Sequence, residues 1–312
     1  MIKKKAIYLL LVIIAVFANS CATYTNFYSK THISVPQNDT SIHRLDLSDQ
    51  GLDSLPNSVS KLKDLRMINL SKNPKLDLEK VIPKLVSHKN LEILILDSLN
   101  ISKLPYTIRK LSNLKQLSLA YNANLDTENT LTKIAELPIE FLNLKGNHIK
   151  TLPKNITKLE SLKDFNLSHN RLKGNQNYEL LGLLPNLYSL WIDHNQLTEL
   201  PNSIGKINQI RFLYIDHNDL QELPEAMSTM KTWVVHAGYN KFKELPGVFT
   251  KMPALFMVHM NNNDITTIPK VYETESYPLA GLILDNNPVL KPEKQKAKQL
   301  FKGFFLLSFE QK

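Results

Sequence analysis

The chain has 312 residues, of which 43% are hydrophobic and 21% are charged, a balance typical of a soluble globular protein. Length alone suggests about two domains, but internal repeats relax that expectation because each repeat extends one continuous core. The formal net charge is +9, and the basic residues are scattered along the chain, so we expect no nucleic-acid partner.

Residues 1–20 have the pattern of a secretory signal peptide. Three lysines, Lys3 to Lys5, precede an unbroken apolar run from Ala6 to Ala18. As a helix this run would rise only about 20 Å, which is too short for a hydrocarbon core of about 30 Å. A signal segment is therefore favoured over a membrane span. Its removal leaves 35 basic and 29 acidic residues, a net charge of +6.

Cys21 follows this segment and is the only cysteine, so an internal disulfide, a CxxC redox pair and a cysteine zinc cluster are all excluded. The run Phe17-Ala-Asn-Ser-Cys21 resembles the lipobox of bacterial lipoproteins. That resemblance implies that Cys21 becomes a lipid-bearing N-terminus, and the three acyl chains it implies would anchor the protein firmly. Residues 21–41 are polar and irregular, which predicts a tether followed by an N-terminal cap.

Residues 42–290 are built from a repeated frame, LxxLxLxxNxLxxLP. The stretch that begins at Leu187 returns 23 residues later at Ile210 with nearly the same sequence. Eleven units carry this frame, and the last is incomplete. They begin at Ile42, Leu65, Leu91, Leu114, Ile139, Leu162, Leu187, Ile210, Thr232, Leu255 and Leu279.

This frame has a direct physical reading. The spacing LxxLxL predicts a short strand whose leucines point inward, while the intervening residues point outward on one face of a parallel sheet. An asparagine follows where the chain turns, and a stack of amides can satisfy the backbone groups of successive turns. Gln50 and Leu99 occupy this place in the first and third units, where we expect less regular turns, with Asn100 as a substitute after a shift of one residue.

The return segments are of two kinds. Units with a Leu-Pro pair run 22 to 24 residues and end in an IxxLxxL-like run. The units that begin at Leu65, Leu114 and Leu162 lack that proline, run 25 or 26 residues, and have helix-like apolar spacing. We therefore expect short and long units to alternate in the N-terminal half, with fuller helices in the long ones, and uniform units from Leu187 onward.

These repeats resemble the leucine-rich-repeat family. The resemblance implies an α/β solenoid, a curved horseshoe with a parallel β-sheet on the concave face and helices, 3-10 turns and extended segments on the convex face. Residues 291–312 combine a basic, helix-permitting stretch with several leucines and phenylalanines, which predicts a C-terminal cap, with a surface-seeking basic-aromatic tail as the alternative.

Residues that contact a partner are expected at the outward positions of the strands, because the inward positions are occupied by the core. In the N-terminal half the outward residues are mainly small and polar, whereas from Leu162 onward these positions are filled by aromatic residues and histidines. Neighbouring strands lie about 4.8 Å apart, so Trp191, Tyr214, His236 and His259 should form one outward stripe. The predicted partner-binding residues are these four with Phe212, Asp193, Asp216, His194, His217, Tyr239 and Met257. The alternative is that stacked aromatics only stabilise the sheet.

Histidines also raise two narrower hypotheses. His169, His194 and His217, with Asp193 and Asp216, lie where adjacent strands could bring metal ligands together. Parallel in-register imidazoles form a poor tetrahedral cage, however, and Asp-His-Asn is also the local repeat sequence, so we predict no metal site and no cofactor. So many histidines further predict that partner binding changes near about pH 6.

No catalytic pattern is found in the sequence: it contains no phosphate-binding glycine loop, no GxSxG elbow and no HExxH. We therefore expect a monomeric, lipid-anchored module that recognises a protein or peptide and catalyses nothing. A glycan- or peptidoglycan-binding lipoprotein that uses the same aromatic patch is the alternative. The resemblance to lipoproteins implies a location in the bacterial cell envelope, at the outer membrane, with the periplasmic face favoured because no acidic run follows Cys21.

Overall fold

The computed structural model describes residues 31–35 and 41–310. The predicted signal peptide, its lipidation site Cys21 and most of the predicted tether lie outside the described residues. Within the described ranges, no helix combines the length and apolar character needed to cross a membrane.

The structure is built on a single parallel sheet of thirteen described strands, which follow one another in chain order. Each strand pairs in parallel with the next, so the chain winds as a solenoid. The strands are β1 (Thr31–His32), β2 (Arg44–Asp46), β3 (Met67–Asn69), β4 (Ile93–Ile95), β5 (Gln116–Ser118), β6 (Phe141–Asn143), β7 (Asp164–Asn166), β8 (Ser189–Trp191), β9 (Phe212–Tyr214), β10 (Val234–His236), β11 (Met257–His259), β12 (Gly281–Ile283) and β13 (Leu306–Ser308).

Twelve of these strands have only three residues, because the first and third consensus leucines flank the strand instead of belonging to it. In β8 the middle residue, Leu190, is fully buried, as are the flanking Leu187 and Ile192. The register places equivalent residues of successive repeats side by side, so Trp191 lies opposite Tyr214. Residues at the same outward position of successive repeats therefore form a continuous column on the concave face.

Six of the seven short units return through 3-10 helices, each of which follows a proline, whereas the unit that begins at Leu255 returns through the short α-helix Val271–Thr274. The proline fixes φ and leaves the chain extended just before the turn, as at Pro201 with φ of −73°. A 3-10 helix has three residues per turn, so the IxxL spacing puts both apolar residues on the same side. Ile204 and Ile207 are both buried in this way. These helices span Asn57–Lys61, Tyr106–Lys110, Lys154–Lys158, Asn202–Lys206, Glu225–Thr229 and Gly247–Lys251.

Long units return through α-helices, as their apolar spacing predicts. The helices are α1 (Leu78–Leu85), α2 (Thr127–Ile134) and α3 (Gln176–Gly182), and two more follow near the C-terminus, α4 (Val271–Thr274) and α5 (Lys291–Leu300). In α1 the side chain of Asp77 accepts a hydrogen bond from the amide of Glu79, so it caps the helix. The buried side of α1 is formed by Leu78, Val81, Ile82 and Leu85, the spacing of one helical face.

The asparagine ladder satisfies the turns inside the coil. Asn218 donates its side-chain amide to the carbonyls of Ile192, Ile215 and Asp216. Its Oδ1 accepts from the backbone amides of Asn195 and Leu197 in the preceding unit. Asn218 thus bonds to backbone of its own unit and of the previous one, which couples neighbouring repeats.

All three expectations for the irregular turns are wrong. At the third unit the amides of Leu99 and Ile101 are satisfied by Oδ1 of Asn122, which belongs to the next unit. Asn100 is exposed and does not substitute. At the first unit Asn73 serves the backbone of Gln50 and Leu52 in the same way, so that turn is regular as well. The side-chain oxygen that accepts from the backbone of each turn belongs to the asparagine of the following unit. The loss of an asparagine therefore removes hydrogen bonds from the turn of the preceding unit.

The sheet extends one strand beyond the repeats at each described end. β1 pairs with β2, and β13 pairs with β12, although neither segment carries the repeat frame. After α5, Phe301 is buried against Tyr272 and Tyr277 with ring centroids 5.8 and 6.4 Å away. A residue of the predicted C-terminal cap thus covers apolar side chains of the unit that begins at Leu255.

Candidate functional site

Trp191, Tyr214, His236 and His259 form a continuous ladder of stacked rings, which we call the aromatic stripe. The Trp191 and Tyr214 rings are parallel to within 9°, with centroids 5.0 Å apart. Tyr214 stacks on His236 at 4.4 Å, and His236 meets His259 at 4.1 Å with a tilt of 46°. Because the ring faces cover one another, the stripe presents its ring edges to solvent.

Phe212, a predicted contact residue, lies beneath this surface. Its exposed fraction is 1%, and its ring is packed against Tyr188 at 5.5 Å and Trp233 at 6.4 Å. The prediction that Phe212 touches a partner is therefore wrong for this conformation: two larger rings of the neighbouring column cover it. Phe212 supports the face from below.

A second ladder lies at the turns that follow β7 to β10. It consists of His169, His194, His217 and Tyr239, which we call the turn ladder. The centroids are 4.0, 4.2 and 4.0 Å apart, and each pair is parallel to within 17°. All four residues have left-handed backbone, with φ between 49° and 55°. Their common φ and the parallel register hold the side chains in line, and Tyr239 and His217 are exposed.

The two predicted aspartates lie between the aromatic stripe and the turn ladder. Asp193 accepts a short hydrogen bond from the hydroxyl of Ser168, and its second oxygen lies 2.9 Å from Nδ1 of His194. Asp216 accepts from the amide of Gly238 at 3.0 Å. Burial raises the pKa of Asp216 to about 6, and the nearby charge of Asp193 acts in the same direction. Both carboxylates therefore accept hydrogen bonds from neighbouring turns, and they lie between the two ladders of rings.

The histidines of the aromatic stripe are kept neutral by their surroundings. Nε2 of His236 and Nε2 of His259 are buried and have no hydrogen-bond partner within the described part of the chain. Burial lowers the pKa of His236 to about 3, helped by the neighbouring His259, and lowers the pKa of His259 to about 4. At neutral pH the stripe is therefore uncharged along its whole length.

Sequence reasoning missed a third column, the residues that directly follow the first consensus leucine. In the C-terminal half Tyr188 and Trp233 meet at 6.2 Å, and the guanidinium of Arg211 lies 5.5 Å from the centre of the Trp233 ring. The change of residue type along this column could have revealed it in the sequence, because the column is charged in the N-terminal half and mainly aromatic in the C-terminal half. In the N-terminal half Lys115 pairs with Glu92 and Lys163 with Glu140.

The remaining predicted residue, Met257, is half-buried at the edge of the patch, with its Cγ close above Gly281. The structure thus brings Met257, the aromatic stripe, the turn ladder and both aspartates onto one face that spans β7 to β11. The concave face of the N-terminal half differs, since a shallow recess there is lined mainly by small polar residues such as Ser48, Asn69, Ser118 and Asn143.

Comparisons with known proteins bear on the fold. A family model described as leucine rich repeat matches residues 186–207, which include β8 and the beginning of the site. No curated protein matches the chain.

Solved structures similar to this chain include the following two proteins. An internalin of Listeria monocytogenes is 18% identical with a TM-score of 0.58, and the match covers 81% of this chain and 76% of that one. A leucine-rich-repeat protein of Leptospira interrogans is 22% identical with a TM-score of 0.44, over 90% of this chain and all of that one. The fold is a leucine-rich-repeat solenoid, as the repeat frame predicts.

Proposed function

We propose that this protein is an exported, lipid-anchored binding module that recognises a protein or peptide through the C-terminal half of its concave face. The observation that carries the proposal is the concentration of stacked rings on β8 to β11. Tyrosine and tryptophan supply large contact areas and are favoured as anchors in interfaces. A solenoid of this kind presents a long curved surface suited to macromolecules.

The stacking favours a polypeptide over a glycan. A sugar ring packs against an aromatic face, and in the aromatic stripe those faces are used by the neighbouring rings at 4.1 to 5.0 Å. Ring edges carry the positive side of the aromatic quadrupole and point outward. Such an edge suits backbone carbonyls and other acceptors. Four strands at about 4.8 Å spacing extend over about 14 Å, the length of four or five extended residues.

Neutrality of the stripe agrees with this reading. Trp191 and Tyr214 carry no charge, and the lowered pKa values of His236 and His259 keep both imidazoles neutral at pH 7. A partner that covers the stripe would desolvate no ion there, so the cost of burying it is small. The absence of a catalytic pattern in the sequence fits a binding role.

The membrane anchor of this proposal depends on the sequence of residues 1–21 alone. A signal segment followed by Cys21 would export the chain and attach it to the bacterial envelope, by resemblance to lipoproteins at the outer membrane. A lipid tether then leaves the concave face free to meet a partner. The lack of an acidic run after Cys21 favours the periplasmic side.

Capture from native envelopes tests the choice of ligand. The full chain is immobilised and challenged with envelope extract, with the same extract after protease treatment, and with a glycan array. We expect a polypeptide that is retained from the untreated extract and lost after protease, with no glycan hits. Retention of a protease-resistant saccharide, or glycan hits abolished by Trp191→Ala, would favour the glycan alternative.

A further inference from the structure

Two half-buried histidines and one carboxylate meet at the turns after β7 and β8. His169, Asp193 and His194 each offer one ligand atom, and these three atoms all lie within 4.8 Å of one another. Imidazole nitrogen and carboxylate oxygen are ligands that suit zinc and similar transition metals.

The sequence-based prediction of no metal site depended on the parallel alignment of the imidazole rings and on Asp-His-Asn being the local repeat sequence, although Asp193 and Asp216 were included in the set. His169 and His194 do stack with an interplanar angle of 12°, so their lone pairs run nearly parallel. Asp193 changes the geometry, because its carboxylate lies beside the edge of the His194 ring, 2.9 Å from Nδ1. A ligand from this third direction allows an ion to be held between a carboxylate and two nitrogens.

The three side chains are held in place before any ion arrives. His169 and His194 both have left-handed backbone, and their amides donate to the carbonyls of Asp193 and Asp216. The hydroxyl of Ser168 holds the other oxygen of Asp193. On its far side His194 is covered by the ring of His217 at 4.2 Å. Outer hydrogen bonds of this kind orient metal ligands and raise affinity.

The site is reachable from solvent, because the side chains of His194 and Asp193 keep 37% and 17% of their surface exposed.

We infer that His169, His194 and Asp193 bind one divalent transition-metal ion such as Zn²⁺, with water completing its coordination. The ion would lie beside the aromatic stripe and at its N-terminal end. The stripe histidines are a different case: Nε2 of both His236 and His259 is buried, and the ligand set found in the described residues does not include them.

Isothermal titration of the untagged protein with zinc chloride at neutral pH tests this inference. We expect one ion per chain at micromolar or tighter Kd. His169→Asn and His194→Asn should each weaken binding about 10-fold or more, since either change removes a nitrogen ligand. Asparagine tolerates left-handed backbone, so both variants should keep their fold.

His148→Asn is the matched control. His148 is an exposed histidine with φ of 58°, outside the three-residue set, so its replacement should leave zinc affinity unchanged. The imidazole resonances of His169 and His194 should shift together on zinc addition, while that of His148 stays in place. No heat with micromolar zinc, or an affinity unchanged in a folded His169→Asn variant, would overturn the inference.

Discussion

At the scale of single residues, the stripe histidines link the site to the stability of the fold. An exposed histidine has a pKa of about 6.5, whereas the pKa values of His236 and His259 in the folded chain are about 3 and about 4. Below about pH 6.5 the unfolded chain therefore takes up protons that the folded chain refuses. Stability is complete above about pH 7 and declines as the pH falls through the range between the unfolded and folded values.

His236→Phe isolates this effect. It keeps an aromatic ring in the stripe, removes the titrating group and removes the unpartnered Nε2. Each pH unit below the unfolded pKa costs about 1.4 kcal/mol for one such group. We therefore expect the variant to gain about 2 kcal/mol over the wild type between about pH 7.5 and about pH 5. The measurement is chemical denaturation at both pH values.

Parallel pH profiles of stability for the wild type and the His236→Phe variant would contradict this account of His236.

The same pKa values limit which residues could make partner binding change near pH 6. His236 and His259 are already neutral there, so a change near pH 6 would have to come from outside the aromatic stripe.

Asn218 is the residue on which the coupling of neighbouring repeats can be measured. Its side chain makes five hydrogen bonds to buried or part-buried backbone groups of two units. Alanine would leave several of these groups unpaired, so Asn218→Ala should lower the free energy of unfolding by about 3 kcal/mol or more.

The exposed Asn202 provides the control for Asn218, because Asn202→Ala should change stability by less than about 0.5 kcal/mol. Denaturant titration compares the two variants. Equal losses would mean that the ladder asparagines contribute by propensity for the turn and not by their hydrogen bonds.

At the scale of elements, the C-terminal segment after β12 packs on the unit that begins at Leu255, as the predicted cap requires. Phe301 is 2% exposed and packs on Tyr272, Tyr277 and Phe304. Phe301→Ala should cost about 3–5 kcal/mol through the cavity it leaves. In a solenoid this loss acts locally, so amide exchange should accelerate in β12 well before it does in β3.

Leu183→Ala is the matched comparison for the cap, since Leu183 ends the α3 return segment with 65% of its surface exposed. It should cost less than about 1 kcal/mol. Uniform acceleration of exchange along the whole sheet in Phe301→Ala would show that residues 291–312 do not act as a cap.

The repeat frame predicts most of the elements, and the reasons are physical. Period-two leucines give the strands, IxxL spacing after proline gives the 3-10 helices, and wider apolar faces give α1 to α3. β1 and β13 escaped prediction because pairing at a sheet end uses backbone groups that no side-chain pattern marks. The burial of Phe212 was also not predicted, because it depends on Tyr188 and Trp233, which belong to the neighbouring column of the sheet.

At the scale of the whole molecule, the two halves of the concave face differ in the side chains they present. The N-terminal half carries ion pairs such as Lys115 with Glu92 and small polar side chains. The C-terminal half carries three adjacent columns of rings. The rings and histidines are therefore concentrated on about five strands of the sheet, β7 to β11.

Cys21→Ser tests the proposed anchor. The wild-type chain, expressed in a bacterial host, should partition into the detergent phase and carry the mass of attached acyl chains, because three chains bind a membrane firmly. The variant should lose that mass and appear in the aqueous phase. A variant that stays with the membrane would mean that Cys21 is not the attachment point.

The aromatic stripe is the surface proposed to hold the partner. The control is the pair Asn69 and Asn143, which occupy the same column of the sheet on β3 and β6, outside the face that spans β7 to β11. Both double variants, Trp191→Ala with Tyr214→Ala and Asn69→Ala with Asn143→Ala, are first shown to be folded by circular dichroism.

The most direct measurement is the Kd of the captured polypeptide for the wild type and for these two double variants, by calorimetry. Loss of two aromatic anchors should weaken binding about 100-fold or more, while the asparagine pair should change it less than about 3-fold. An unchanged Kd for the Trp191 and Tyr214 variant, or an equal loss in both, would contradict the account.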